Sequence, residues 1–283
     1  MNPLFLTSRL LSAANVTHGF SLRAGGVSQG PFASLNLSRS VGDAAGAPEE
    51  NLARLAAAAG LGGPGALFAA AQVHGDRVLQ IHQGALAELL PATEQAAVSG
   101  ESAAALLEAP AGDAVVSLDP ARAAAVRVAD CVPILLYEPR VRAAAAVHAG
   151  WRGARLGVPA RGVRALAVAA GGRPAEVLAA IGPCIGRCCY QVSGELASIF
   201  RALFGAHVAD DPATSTKPHL DLRAAVEVSL RRAGLGPGRI EHVGGCTSCD
   251  PQRLFSHRRD RGRTGRHLAF IAPDGVTNRG PFL

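Results

Sequence analysis

The sequence predicts a single α+β domain over residues 1–283, and three observations carry that reading. Short strand-like runs of Val, Ile, Leu and Ala are interspersed with Ala-rich helical stretches. No internal repeat or linker divides them. The hydrophobic share, 48%, is enough for one substantial core.

Residues 1–15 read as a poorly specified entry segment. Residues 17–28 form a short strand running into a Gly-rich turn, where Gly25-Gly26 permits positive φ and close approach of backbone N–H groups to an anion, with Arg23 beside it. Pro48-Glu49-Glu50-Asn51 opens an Ala-rich helix to about Ala59, its proline and acids suiting the positive end of the helix dipole. His74 stands just before a β-like run at 78–81. Residues 84–112, rich in Ala, Glu and Gly, are expected to form one or two surface helices or a mobile insertion. Strand-like sequence restarts at 113–117 and leads to two apolar strands joined at Glu138-Pro139-Arg140-Val141. A helix follows from Pro159 to about Ala170, its arginines toward solvent, and then a buried strand at 177–181. Ser193 caps a helix through Leu203, and Asp221 caps another over Leu222–Arg232 that ends at Gly234. Strands near 240–243 and at 267–271 complete the chain.

The hairpin holds the candidate chemistry. With Pro139 and Arg140 as central turn residues, Cys131 falls opposite His148, their Cβ atoms about 4.5–5.5 Å apart on one face. A one-residue slip would separate them. Together with His74 they make a mixed nitrogen and sulfur donor set, and three readings stay open. Three protein ligands with an open position is the pattern of catalytic zinc, which polarises a carbonyl or activates water. A Cys–His hydrolase pair has His148 deprotonating the thiol without a metal. The third reading is a structural cysteine near an ordinary histidine. Elsewhere, Cys246-x-x-Cys249 can join Cys184, Cys188 and Cys189 in a four-cysteine zinc site, but the spacing is unusual and buried free thiols are expected. The Arg258-Arg259-Asp260-Arg261 run reads as a solvated loop, with phosphate or carboxylate contact as the alternative.

Charge and composition exclude several classes. The net charge is +6, yet Lys217 is the one lysine and aromatics are 4%, so arginine-rich codon usage explains the balance better than nucleic-acid binding. Anionic small molecules are the expected partners. No run of about 18 apolar residues suggests a membrane span, and no basic leader with a long apolar core is evident. Six cysteines without such a leader suggest reduced thiols or metal ligands and a cytoplasmic setting.

A further set of motifs occurs in a fixed order: His18-Gly-Phe-Ser-Leu-Arg-Ala-Gly-Gly-Val-Ser, Ser34-Leu-Asn-Leu, Gln72-Val-His-Gly, Ala129-Asp-Cys-Val-Pro-Ile, His148-Ala-Gly-Trp-Arg-Gly, Ile181-Gly-Pro-Cys-Ile-Gly, Cys189-Tyr-Gln-Val, Leu220-Asp-Leu, Cys246-Thr and Phe255-Ser-His-Arg-Arg-Asp. From about His18 to Ile271 the chain resembles the bacterial laccase-domain family, also called YfiH-type, polyphenol oxidase or peptidoglycan-editing-factor proteins. The resemblance implies an αββα-type layered sandwich with mixed sheets, related to cysteine hydrolases. It also implies a metal, usually zinc with copper as the alternative, at His74, Cys131 and His148. The implied activity is phosphorolysis of adenosine, inosine and methylthioadenosine, with adenosine deamination; the implied partners are a nucleoside and phosphate, and a monomer or homodimer is expected. For phosphate the candidates are Arg23 with Gly25-Gly26, Arg152 and Arg258; for proton transfer, Cys131 or His257. Against this stand a Cys–His amide hydrolase acting on peptidoglycan precursors, a non-enzymatic binding module, and copper-dependent phenol oxidation. The last is weakened by a single methionine and only nine histidines.

Overall fold

The run Val132-Pro133-Ile134-Leu135-Leu136-Tyr137 has no polar side, and both of its faces are buried. The computed structural model, which describes residues 3–90 and 110–273, places this run at the middle of the molecule. In chain order, β1 (Phe5–Leu6) and α1 (Arg9–Ala13) precede β2 (His18–Ser21), α2 (Ala47–Ala58) and β3 (Leu67–Phe68). Next come β4 (Val78–His82), β5 (Ala85–Leu90), β6 (Ala114–Ser117), β7 (Ala123–Val128), β8 (Val132–Glu138) and β9 (Ala143–Ala149). The remainder is α3 (Trp151–Leu156), α4 (Val158–Ala169), β10 (Leu178–Ile181), α5 (Gly194–Phe204), α6 (Leu222–Arg232), β11 (Ile240–His242) and β12 (His267–Ile271).

Two mixed sheets result, ordered β1-β2-β12-β7-β3 and β11-β10-β8-β9-β6-β4-β5. The two-residue period of a strand sends alternate side chains into different cores. From β8, Val132, Ile134 and Leu136 join Val147, Leu166 and Phe200 in a core shared with the helices, while Leu135 and Tyr137 join Phe20, Val126 and Ile271 from the other sheet. Outside that smaller sheet, Leu55 of α2 packs with Ala125, Leu268 and Phe270. Each fully buried Leu or Phe contributes about 1.5–3 kcal/mol, so a central strand covered on both sides has no use for a polar face. No helix among the described residues is long and apolar enough to cross a membrane.

Several expectations are corrected. Within the entry segment residues 5–6 form a strand and 9–13 a helix, with Ser8 capping α1 through a hydrogen bond from Leu11 N–H. Residues 85–90, expected within a stretch of surface helix or mobile insertion, form the edge strand β5 instead; pairing with β4 overrides the local preference of Ala, Leu and Glu. The rest of that expected insertion lies outside the described residues. A short helix, α3, follows β9 directly. Arg161 of α4, expected to face solvent, turns in to donate to the Asp76 carbonyl and carboxylate.

The hairpin itself pairs Glu138 with Ala143 and Val132 with Ala149, so His148 lies opposite Pro133 and not Cys131. The loop therefore has four residues instead of two. Arg142 takes a positive φ of 57°, and the Glu138 carboxylate accepts the Val141 N–H at 3.0 Å. Relative to the expected register the strands are shifted by two residues. An even shift preserves the face, which is why Cys131 and His148 still meet.

Candidate functional site

His148 is the last but one residue of β9, on the side away from the helix-facing Val147 and Ala149. Its Nδ1 bonds the Asp113 carboxylate at 2.8 Å, and its backbone N–H donates to the Asp113 carbonyl at 2.8 Å. Asp113 is fully buried, and its carboxylate also accepts the backbone N–H groups of Val73, His74 and Gly75 at 3.2, 3.0 and 2.7 Å. Four donors offset the cost of removing that charge from water. The Gln72 side chain adds two bonds to the Arg127 backbone, at 2.8 and 2.7 Å. So pinned, the 72–75 loop holds His74 at φ +59°.

Cys131 follows Asp130, itself at φ +91°, between β7 and β8. Its Sγ lies 3.9 Å from His74 Nε2, and the His74 and His148 rings meet edge to face with centroids 4.9 Å apart. One donor atom from each of His74, Cys131 and His148 falls within 4.8 Å of the others. Gly150 makes the approach feasible: a Cβ there would stand 2.9 Å from His74 Cδ2 and 3.1 Å from Cys131 Sγ. One sulfur and two imidazoles, one of them oriented by a carboxylate on its other nitrogen, suit a borderline-soft divalent metal that keeps a further position open.

The same residues are coupled electrostatically. Burial alone would raise the Cys131 thiol, but the charge of His148 and hydrogen bonds from both histidines outweigh it and bring it down to about 6. Burial likewise opposes a charged His148, yet the Cys131 thiolate and Asp113 raise it to about 10. Without metal, the pair is a thiolate beside an imidazolium across neutral pH.

Around this set stand the predicted Arg152, Arg258 and His257, together with Asp130, Thr247 and Tyr190, to which the sequence alone gave no role. The Asp130 carboxylate accepts the Thr247 hydroxyl and the Arg258 backbone N–H, the latter at 2.7 Å. Arg258 donates to the Gln191 carbonyl at 2.9 Å and stacks over Tyr190 at 5.2 Å. Burial pushes the Tyr190 phenol far up; the charges of Cys131 and Asp130 add to this, and those of Arg258 and Arg152 oppose it. Exposed Arg152 lies over Trp151 at 4.6 Å. His257 is pulled below its ordinary value by burial and by Arg266, and it feels Asp130, Arg258 and His74. The structure thus brings His74, Cys131, His148, Arg152, Arg258 and His257 into one neighbourhood.

Arg23 and the Gly25-Gly26 turn have structural engagements of their own. Arg23 donates to the Ala33 and Pro251 carbonyls at 2.6 and 3.1 Å and lies over Phe255 at 5.0 Å. Gly26 donates its N–H to the Ser34 hydroxyl at 3.1 Å, and a Cβ there would strike the Ser34 carbonyl. The cysteine expectation also changes. Cys184 is buried beneath the Arg223 guanidinium, whereas Cys188 and Cys249 are exposed and Cys189 and Cys246 half-buried, so the thiols outside the hairpin are not uniformly buried.

Comparison with known proteins matches residues 17–274 to the family described as multi-copper polyphenol oxidoreductase laccase. A Mycobacterium tuberculosis protein named purine nucleoside phosphorylase Rv2149c is 38% identical over 250 residues, 88% of each chain. A Deinococcus radiodurans protein named purine nucleoside phosphorylase is 37% identical over 267 residues, 93% of this chain and 92% of that one. Among solved structures, YlmD from Geobacillus stearothermophilus superposes with a TM-score of 0.80 at 30% identity, covering 96% of this chain and all of that one. Bacillus licheniformis YfiH gives 0.81 at 32%, covering 96% and 97%.

Proposed function

Because the chain belongs to this laccase-domain family, we propose that it is a zinc-dependent purine nucleoside phosphorylase converting adenosine, inosine or methylthioadenosine and phosphate into free base and ribose 1-phosphate. The observation that carries the reading is the His74–Cys131–His148 set braced by Asp113. His74 Nε2, Cys131 Sγ and the Nε2 of His148 would hold the ion, zinc in preference to copper. Bound there, zinc would supply Lewis-acid polarisation of a substrate atom, including the activation that adenosine deamination needs.

The remaining work falls to the chain's own groups. Arg258 and Arg152 bind and orient phosphate beside the anomeric carbon, with Arg23 and the Gly25-Gly26 turn as a further anion contact. As the phosphate oxygen bonds to that carbon, the bond to the base breaks and its electrons leave with the purine, which takes up a proton. His257, whose basicity is lowered by burial and by Arg266, would carry protons. Asp130 sets the Arg258 backbone through the hydrogen bond at 2.7 Å. We place the protein in the cytoplasm as a monomer or homodimer, acting on small molecules without a nucleic-acid or membrane partner. We also read its three cores as αββα layering of the kind found in cysteine hydrolases. Zinc-loaded protein incubated with adenosine and phosphate should release adenine and ribose 1-phosphate, with inosine or hypoxanthine from deamination; absence of any free base overturns the proposal.

A second reading draws on the Asp113–His148–Cys131 chain, which has the orienter–base–nucleophile order of a hydrolytic triad. It makes the protein an amide hydrolase of peptidoglycan precursors. Cleavage of a muropeptide that survives chelation and is abolished by thiol alkylation would favour it; strict metal dependence would remove it.

A further inference from the structure

Four cysteines outside the hairpin meet at the surface. Cys188 and Cys189 lie in the turn after β10, and Cys246 and Cys249 in the turn after β11. A parallel bridge between Cys184 and Cys246, with Thr247 N–H donating to the Cys184 carbonyl at 3.0 Å, sets the two turns side by side. Cys249 Sγ is 3.5 Å from Cys188 Sγ and 3.4 Å from Cys189 Sγ, and all four sulfurs lie within 4.8 Å of one another.

Those separations suit ligation. Four thiolates about 2.3 Å from a tetrahedral centre stand about 3.8 Å from each other. A second observation concerns the backbone. Gly186 N–H donates to Cys246 Sγ at 3.2 Å. A sulfur that accepts an amide N–H is prepared to carry negative charge, as a ligating thiolate must.

We propose that Cys188, Cys189, Cys246 and Cys249 form a second metal site, a structural tetrathiolate zinc centre distinct from the His74–Cys131–His148 set. Four protein ligands leave no open position, so its role is to fasten one turn to the other. The consequence reaches the candidate active site. Tyr190, which packs on Arg258, follows Cys189 in the chain, and Thr247, which donates to Asp130, follows Cys246. Zinc at this position braces the wall that carries both contacts.

The test is metal content and ligand spectroscopy, independent of any turnover. Protein purified without chelator should carry one zinc beyond that of the hairpin site. The double variant Cys188→Ser with Cys249→Ser should lose one equivalent and retain the other, whereas Cys184→Ala should lose neither. The double variant His74→Ala with His148→Ala should keep the tetrathiolate ion. Should the cysteine variants fail to fold, cobalt-substituted full-length protein decides: the intense visible bands and sulfur-to-metal charge transfer of a four-sulfur tetrahedral centre support the site. Four thiols that titrate freely in native protein with or without chelator overturn it, as do disulfides among these cysteines in a non-reducing peptide map.

Discussion

Asp113 and His148 are bonded twice, once through Oδ1 to the imidazole Nδ1 and once through the carbonyl to the backbone N–H, both at 2.8 Å. The first bond fixes which ring nitrogen faces Cys131, and the second fixes where the ring starts. The same carboxylate gathers the N–H groups of the loop that bears His74. One buried acid therefore positions both histidines of the site.

Asp113→Asn should weaken metal binding more than it perturbs the fold. The amide oxygen still accepts the Val73 and Gly75 N–H groups, but its NH2, standing where Oδ1 faces His148 and the His74 N–H, favours the wrong tautomer. Loss of a carboxylate partner behind a ligating histidine costs roughly 10–100-fold in affinity. Competition with a zinc-binding dye measures it, with circular dichroism as the control; unchanged affinity would remove Asp113 from this role.

Metal-stripped protein should show an unusually acidic thiol at Cys131. With its titration brought down from 9.0 to about 6, Cys131 is protonated below that pH and is a thiolate throughout the neutral range. Alkylation of the Cys131 peptide, followed by mass spectrometry, should have its midpoint near that value. His148→Ala removes the opposing cation, leaves burial to dominate and moves the midpoint upward. Added zinc should suppress alkylation at every pH.

Replacing Arg258 tests the phosphate assignment. A hydrogen bond to a charged group is worth about 1.5–3 kcal/mol, so Arg258→Ala should raise the KM for phosphate roughly ten- to a hundredfold. The KM for nucleoside should change far less. Arg258→Lys should recover part of the loss, because it keeps the charge without the planar fork. Equal effects on both substrates would instead assign Arg258 to holding the loop over Tyr190.

Acid should destabilise the fold through His267. Burial, aided by the charge of Arg23, pushes this imidazole down from 6.5 to about 3, while its Nε2 accepts the Phe255 N–H at 2.7 Å. Between those pH values the unfolded chain binds a proton that the folded chain refuses. Stability is therefore fully present above pH 6.5 and falls as pH drops toward 3. Urea unfolding at pH 7 and pH 4 should show wild type losing about 3 kcal/mol more than His267→Gln, which retains an acceptor for Phe255. Parallel losses in the two proteins would contradict this.

Local signals were readable where a residue acts on its own neighbours. Ser193 and Asp221 accept N–H groups three residues ahead, so the starts of α5 and α6 follow from the sequence alone. The turn of the central hairpin was not readable, because its length depends on Arg142 adopting a positive φ and on Glu138 capturing the Val141 N–H. The edge strand β5 escaped for a related reason: its exposed Ala and Leu residues carry no alternation, and the pairing with β4 decides its state.

By itself the sequence determined the mixed α and β character, the buried strands, the family resemblance and the three residues His74, Cys131 and His148. Only the tertiary structure decided what orients them and what surrounds them. Asp113 reads as an ordinary strand-flanking acid until residues 35 to 40 positions away fold onto it. Cys188 and Cys249 look unrelated until the Cys184–Cys246 bridge brings their turns together across 61 residues. Spacing along a chain reports contacts within a helix, strand or turn. Contacts between distant segments depend on which sheet edges pair and in what register, and that is settled by burial of the whole core.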